Sequence, residues 1–567
     1  MTLMKTKVRT KLIALMSVVL TMTVSCTDDF ISLNTNKSLI TEDLVQVNMI
    51  FTGVVNGAIV DGTDGFGTIG NYSGMSVSGA NVPFVDLPDG GTWGSYYSRG
   101  RNLNSIIYIC KKKDEAKYAN KIAMARILKA HFAAIATDAY GDIPYSESFL
   151  PLDQVILNPK YDKQKDIYTD LFKELKEAAA QLNATLPAAD GYGNADIMYK
   201  GNVDKWKKLA NSIRLRLAMR VRYADPAMAA SNISDLNESN LISVAGDNAV
   251  INTSADLAEN YNPLYNTQLS SNVATRRNYG INGKPDVPKT FLDILKNNND
   301  PRLKVYADTA KATFTGTARA DFRRFGYRGR PLLGSAPVEQ KNPYGLLTVS
   351  KWSDLFWVKI VEKPLYKCSE TYFLLSEAAL FGLKGSPADA QTYYKKGLQL
   401  ALEHAKRFYD NAAPQLPEVI RFFRATETDA QIAQEVAFHQ LTTPEITSFL
   451  TTPVATLAGS DEEKLEQIIN QKMVSLFPDE YEAWAEYRRT GYPRILVGAD
   501  TDALKGQIPR RMGYPTEEAT LNGDNYTVAV DALGGVNTRK ARIWWDAKNP
   551  IPIYPHPETV ETRAKPW

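Results

Sequence analysis

The 567-residue chain carries 66 Lys and Arg against 63 Asp and Glu, a formal charge of +3. Four of the basic residues (Lys5, Lys7, Arg9 and Lys11) fall in the first 25 positions, which hold no acid, so the rest is within one charge of neutral and offers no field for nucleic acid. Three Cys and four His, with no H-E-x-x-H or other metal-ligand spacing and no G-x-S-x-G, argue against a disulfide scaffold and indicate no metal, cofactor or serine nucleophile.

In chain order, the basic start is followed by an apolar run, Leu12 to Val24, and by Thr23-Val24-Ser25-Cys26. That is a secretory signal peptide over residues 1–25, too short and one-sidedly flanked for a lasting membrane helix. The small residues ahead of Cys26 resemble the lipobox of bacterial lipoproteins, in which this Cys becomes the lipidated N-terminus, although Thr23 stands where Leu is usual. Asp28-Asp29 resembles the acidic tag that directs such lipoproteins to the cell surface. Residues 26–40 read as a lipidated tether and 41–567 as one domain, since no long Pro- or Ser-rich linker divides them. Thr41 before Glu42-Asp43 predicts a helix start. Gly65-Phe66-Gly67-Thr68-Ile69-Gly70 matches a dinucleotide fingerprint in letters only, because its flanks read as neither strand nor helix; it is expected to be a flexible loop.

Residues 71–100 are aromatic and Gly-rich, with helices expected to resume at Asn102. Ala125, Leu128, Phe132, Ile135 and Ala139 then form a helical stripe over Lys121–Tyr140. Ile167–Leu182 and Val203–Tyr223 repeat that period as a second hairpin. Arg214, Arg216, Arg220 and Arg222 spread around the latter helix, which points to ion-paired structural arginines rather than a phosphate site. Residues 224–365 are mostly irregular, with a short helix near Pro288–Lys296. The clearest element is Tyr366–Tyr409. Its first helix faces Phe373, Leu374, Ala378 and Phe381 inward, Gly382 to Pro387 make the stop and start, and Tyr394, Leu398, Leu402 and Ala405 continue the stripe. The pattern looks like a tetratricopeptide-type hairpin, whose units need neighbours to cover their apolar faces. Glu462–Met473 is a further helix, and residues 495–567 are loops with short ordered pieces. Cys110 and Cys368 sit in apolar helical contexts and read as small core residues.

The stretches Tyr140-Gly141-Asp142-Ile143-Pro144-Tyr145, Trp206 with Ala210-Asn211-Ser212 and Arg214-Leu215-Arg216, and Asp300-Pro301-Arg302 occur in that order. Glu377-Ala378, Glu482-Ala483-Trp484, Arg488-Arg489-Thr490-Gly491-Tyr492-Pro493, Pro509-Arg510-Arg511, Tyr514-Pro515 and Trp544-Trp545-Asp546 follow. Together, behind the lipobox, they resemble the SusD/RagB family of nutrient-binding outer-membrane lipoproteins of Bacteroidetes. The resemblance implies a mainly α fold: tetratricopeptide-like hairpins, here about 102–223 and 366–490, with a loop-rich half (about 60–100, 224–365 and 495–567) packed on them. It also implies capture of an oligosaccharide or peptide without cleavage, and a TonB-dependent outer-membrane transporter as partner.

Sugar C–H faces stack on aromatic rings, so loop aromatics are the candidate contacts: Tyr72, Trp93, Tyr96 and Tyr97 in one cluster, Tyr344, Trp352 and Trp357 in another. Core packing beneath long loops is the competing reading of each ring. A glycoside hydrolase would need a carboxylate pair, such as Asp138 with Asp142 or Glu480 with Glu482, and a pure protein-interaction scaffold would need no ligand at all. For Asp138-Ala139-Tyr140-Gly141-Asp142, a capped helix stop with an extended exit is the favoured reading.

Overall fold

The computed structural model describes residues 46–60, 68–77, 90–150, 154, 156–253, 262, 264–265, 284–310, 326–330, 349–423, 427–495 and 508–550. The chain divides into two units, Met1–Val47 and Asn48–Trp567, and all but residues 46 and 47 of the first lie outside the described residues. Cys26 and the Thr41 start therefore fall outside them, as do Gly65 to Gly67 and Tyr344.

The second unit is mainly α. Helix α1 (Gly91–Asp114) packs on α2 (Ala119–Tyr140), α2 on α3 (Gln164–Gln181), and α3 on α4 (Val203–Val221). Helix α4 meets α5 (Cys368–Leu380), which pairs with α6 (Pro387–Ala412) and with α8 (Asp461–Leu476), and α8 meets α9 (Glu480–Thr490). Helix α7 (Asp429–Phe438) lies between α6 and α8 in sequence. Successive helices thus cover one another's apolar faces, which is how hairpin units become stable.

Local chemistry sets the boundaries. The Asn202 side chain accepts the Lys205 N–H at the start of α4. At α6, Pro387 occupies the first turn and the Asp389 carboxylate accepts the Ser386 N–H at 2.8 Å. Ser460 and Glu463 form a reciprocal cap on α8, with N–H to oxygen distances of 2.7 and 3.3 Å. The α5–α6 crossing is close because Gly397 has no side chain: a Cβ there would sit 3.2 Å from the Phe373 ring.

Two short antiparallel pairs tie the loops to this scaffold. Strand β1 (Ile143–Pro144) pairs with β2 (Tyr161–Asp162), and β3 (Ala249–Asn252) with β4 (Glu362–Tyr366), the latter leading directly into α5. Trp206, Trp352, Trp357, Trp484 and Trp545 are among the largest fully buried side chains.

Two sequence expectations need correction. Helix α1 begins at Gly91 rather than Asn102, so Trp93, Tyr96 and Tyr97 are helical and not in a loop. Thr68–Ser73 also forms a short helix where the flank of the glycine-rich stretch was read as non-helical. The described element preceding that stretch is the helix Val47–Val60.

Candidate ligand-binding site

A buried ionic network joins the hairpins. Arg220 of α4 bonds both Asp138 at the end of α2 and Glu482 of α9. Arg216 grips Glu370 with two contacts of 2.6 Å, and Lys472 reaches Glu482 at 3.2 Å and Glu486 at 3.4 Å. Arg222 and Arg489 converge on Glu377. Arg214 pairs with Asp235 at 2.6 Å, so each arginine of that helix has an acidic partner. Arg488 lies 3.5 Å from the Trp484 ring and 4.7 Å from the Trp545 ring.

This network holds Asp138 and Glu482, one member of each carboxylate pair that a hydrolase would use. Asp138 is buried and also receives the Tyr168 hydroxyl and the Trp545 indole N–H; burial raises its pKa against the opposing pull of Arg220. Burial would raise Glu482 too, but Arg220, Arg216 and Lys472 together hold it well below the usual carboxylate range. Glu480 is buried, and Asp142 holds Lys163 at 2.8 Å and the Gln164 backbone N–H at 2.9 Å. Asp138 and Glu482 hold α2, α4 and α9 together through Arg220.

The two described rings of the second aromatic cluster expected from the sequence, Trp352 and Trp357, lie in the core. Trp352 stacks on Phe477 at 4.1 Å and is 0% exposed, while Trp357 is 1% exposed. With no ring face at the surface, neither can stack on a sugar in this arrangement, and both belong to the apolar layer with Phe291, Tyr306 and Phe356. Tyr72 is buried against Trp484, its hydroxyl receiving Arg539.

Trp93, Tyr96 and Tyr97 of the first cluster lie together on α1. Trp93 and Tyr96 are buried, and around them lie rings from distant parts of the chain. Trp93 is 5.1 Å from Tyr97, 5.1 Å from Tyr140, 6.1 Å from Tyr161 and 6.0 Å from Tyr514. Tyr514 is 5.2 Å from Tyr161 and 6.2 Å from Tyr526, and Tyr97 is 5.8 Å from Phe149. Tyr97, Phe149, Tyr161 and Tyr526 are half-buried.

The backbone holds these rings in place. The Tyr97 hydroxyl donates to the Pro144 carbonyl at 2.8 Å, and the β1–β2 pair sets Tyr161 opposite Pro144. Phe149 takes a left-handed φ of 61° and lays its ring over Gly100, where a Cβ would come within 2.3 Å of it. Asn522 and Asn525 donate to the Pro159 and Asn158 carbonyls at 2.8 and 2.9 Å, tying the helices α10 (Glu518–Leu521) and α11 (Gly523–Asp531) to the β2 segment. The Tyr161 hydroxyl donates to Glu518 at 2.7 Å. Burial, reinforced by Glu518, raises the Tyr161 phenol pKa, so the ring stays neutral beside a carboxylate rim. Leu157, Leu521 and Val528 stand exposed on these same segments at 85%, 69% and 67%. The sequence offers no signal for Phe149, Tyr161 and Tyr526 as contacts, each an isolated aromatic with no periodic partner, and Tyr514 enters it only in the family resemblance.

The chain belongs to the SusD-like family, whose model, described as "Starch-binding associating with outer membrane", matches residues 84–515. Among solved structures it is similar to a chitin-binding protein at 26% identity and a TM-score of 0.68, over 88% of this chain and 99% of that one. It also resembles a chitin-binding SusD homologue from Flavobacterium johnsoniae (24% identity, TM-score 0.62, 88% and 98% covered). A SusD homologue from Bacteroides fragilis matches at 20% identity and a TM-score of 0.68, over 88% of this chain and 100% of that one. No curated protein matches the chain. Among the described residues, no helix is long and apolar enough to cross a membrane.

Proposed function

We propose that this protein binds an oligosaccharide at the outer surface of the outer membrane and passes it, uncleaved, to a TonB-dependent transporter. The observation that carries the reading is the half-open ring cluster of Tyr97, Phe149, Tyr161 and Tyr526 over Trp93, with Glu518 at its edge. Neutral rings accept sugar C–H faces, and the carboxylate and nearby amides accept or donate to hydroxyls. Membership of a family described as starch-binding, and the likeness to a chitin-binding protein, support a glycan over a peptide. Anchoring by a lipid on Cys26 through the tether 26–40 completes the reading, as does a transporter partner implied by the family resemblance. Tyr344 belongs to this proposal as an additional contact. Tyr96 and Trp93 act from beneath by setting the position of the outer rings.

Binding of starch-derived and chitin-derived oligosaccharides to the purified chain, followed by calorimetry, tests the reading. One class should bind, and Tyr161→Ala or Tyr526→Ala should weaken it by about 1.5–3 kcal/mol, the value of burying one large side chain. Failure of both classes to bind, or unchanged affinity in both variants, would refute it. Hydrolysis of the bound glycan would refute the non-catalytic part.

A further inference from the structure

Away from the ring cluster, Asp308, Glu435 and His439 bring three potential ligand atoms within 4.8 Å of one another. Asp308 follows the short helix Leu303–Tyr306, held by its backbone N–H on the Lys351 carbonyl at 2.9 Å. Glu435 lies on α7 and His439 directly follows that helix, one turn further on. All three side chains are buried, His439 at 0% exposure.

The histidine's orientation is informative. Its Nδ1 faces the Lys304 carbonyl, which can only accept, so Nδ1 carries hydrogen and the lone pair of a neutral ring sits on Nε2. Nε2 lies 3.3 Å from Asp308 Oδ1 and 3.8 Å from Glu435 Oε1, and makes no hydrogen bond. A lone pair and two carboxylate oxygens facing one another in a buried site repel unless a cation stands between them. A proton on Nε2 would draw an oxygen to about 2.7–2.9 Å, the usual length of a charge-assisted bond. The 3.3 Å separation from Asp308 instead is close to the edge of a tetrahedron whose ligands lie about 2.0–2.1 Å from a central ion, an edge of about 3.4 Å, with Glu435 slightly further out at 3.8 Å.

We propose that Asp308, Glu435 and His439 form a divalent metal site of the zinc class, which fastens the Leu303–Asp308 segment to the end of α7. An imidazole among the ligands favours a first-row transition ion over Ca2+ or Mg2+, which take all-oxygen shells of six or more. The Lys304 carbonyl supplies the outer hydrogen bond that metal-ligating histidines require. A water molecule would complete the tetrahedron.

The test uses the purified chain, stripped with a chelator and titrated separately with Zn2+ and Ca2+. Zn2+ should bind once per chain and raise the melting temperature, with no comparable effect of Ca2+. Co2+ should give the visible absorption of a tetrahedral site. Glu435→Gln and His439→Gln should each weaken zinc binding by at least about tenfold, the least seen when even outer-shell partners are lost. Zinc affinity unchanged in both variants would overturn the proposal. So would NMR showing both His439 nitrogens protonated with zinc present, which would identify a proton as the bridging cation. If His439→Gln does not fold, Glu435→Gln and the Co2+ spectrum still decide.

Discussion

Arg489 grips the Glu377 carboxylate edge-on, Nη2 lying 2.7 Å from Oε2 and Nη1 bonding Oε1, so that α9 is fastened to the central α5 hairpin from within the core. Arg222 reaches the same carboxylate at 2.6 Å, and Arg489 also holds Glu486 at 2.6 Å. One acid therefore balances guanidinium groups from two helices. Glu377→Gln should cost about 3–5 kcal/mol, because removing one partner of a buried ion pair strands the other. Chemical denaturation of wild type and variant measures this, and a loss below about 1 kcal/mol would show that the network relaxes around the change.

The same pair sets a direction for acid sensitivity. Burial would raise the Glu377 pKa, but Arg489 and Arg222, with Lys472 behind them, bring it down to about 2. A carboxylate depressed in the folded state contributes stability that is fully present above its unfolded pKa and lost as pH falls through the folded value. Stability should accordingly decline between about pH 4.5 and pH 2, by on the order of 3 kcal/mol from this group. Melting curves across that window should show a shallower decline in Glu377→Gln than in wild type.

Rings of the two aromatic clusters should separate cleanly. Trp352→Ala removes a fully buried side chain stacked on Phe477 and should destabilise the fold by about 3–5 kcal/mol. Tyr161→Ala, at a half-buried ring, should leave melting close to wild type while weakening oligosaccharide binding. Equal stability loss in both would place Tyr161 in the core.

Gly100 admits the Phe149 ring, and a Cβ at that position would lie 2.3 Å from it. Gly100→Ala should displace Phe149 from the rim of the ring cluster, since overpacking costs about 1–3 kcal/mol. Affinity for the oligosaccharide should fall with the helix itself intact by circular dichroism. Wild-type affinity would mean that Phe149 takes no part in the surface.

Cys26→Ala should release the protein from membranes or leave the signal peptide uncleaved, as read by fractionation and gel mobility. Unchanged behaviour would remove the lipid anchor from the proposed function.

Much of the scaffold was legible because a helix writes its period into the chain. The spacing of Phe373, Ala378, Tyr394, Leu398 and Ala405 locates the α5–α6 hairpin, and the four arginines of α4 announced ion pairs by their spread around the helix. Trp352 and Trp357 sit in an irregular stretch with no period, so nothing local distinguished a ring under the loops from one above them. Glu435 and His439 are one turn apart, but the third member, Asp308, is more than a hundred residues away, which is why no metal-ligand spacing was visible.

The sequence by itself determined the helical hairpins and the stop and start at Gly382 to Pro387, because each rests on residues within a few turns of one another. Tertiary structure alone decided which rings reach the surface. Trp93, Phe149, Tyr161 and Tyr526 gather around Tyr97 and Tyr514 through the pairing of β1 with β2 and through asparagine-to-carbonyl bonds that join residues 363 and 367 positions apart. A ring's exposure depends on what the rest of the chain lays over it, and that is a property of packing which no local pattern encodes.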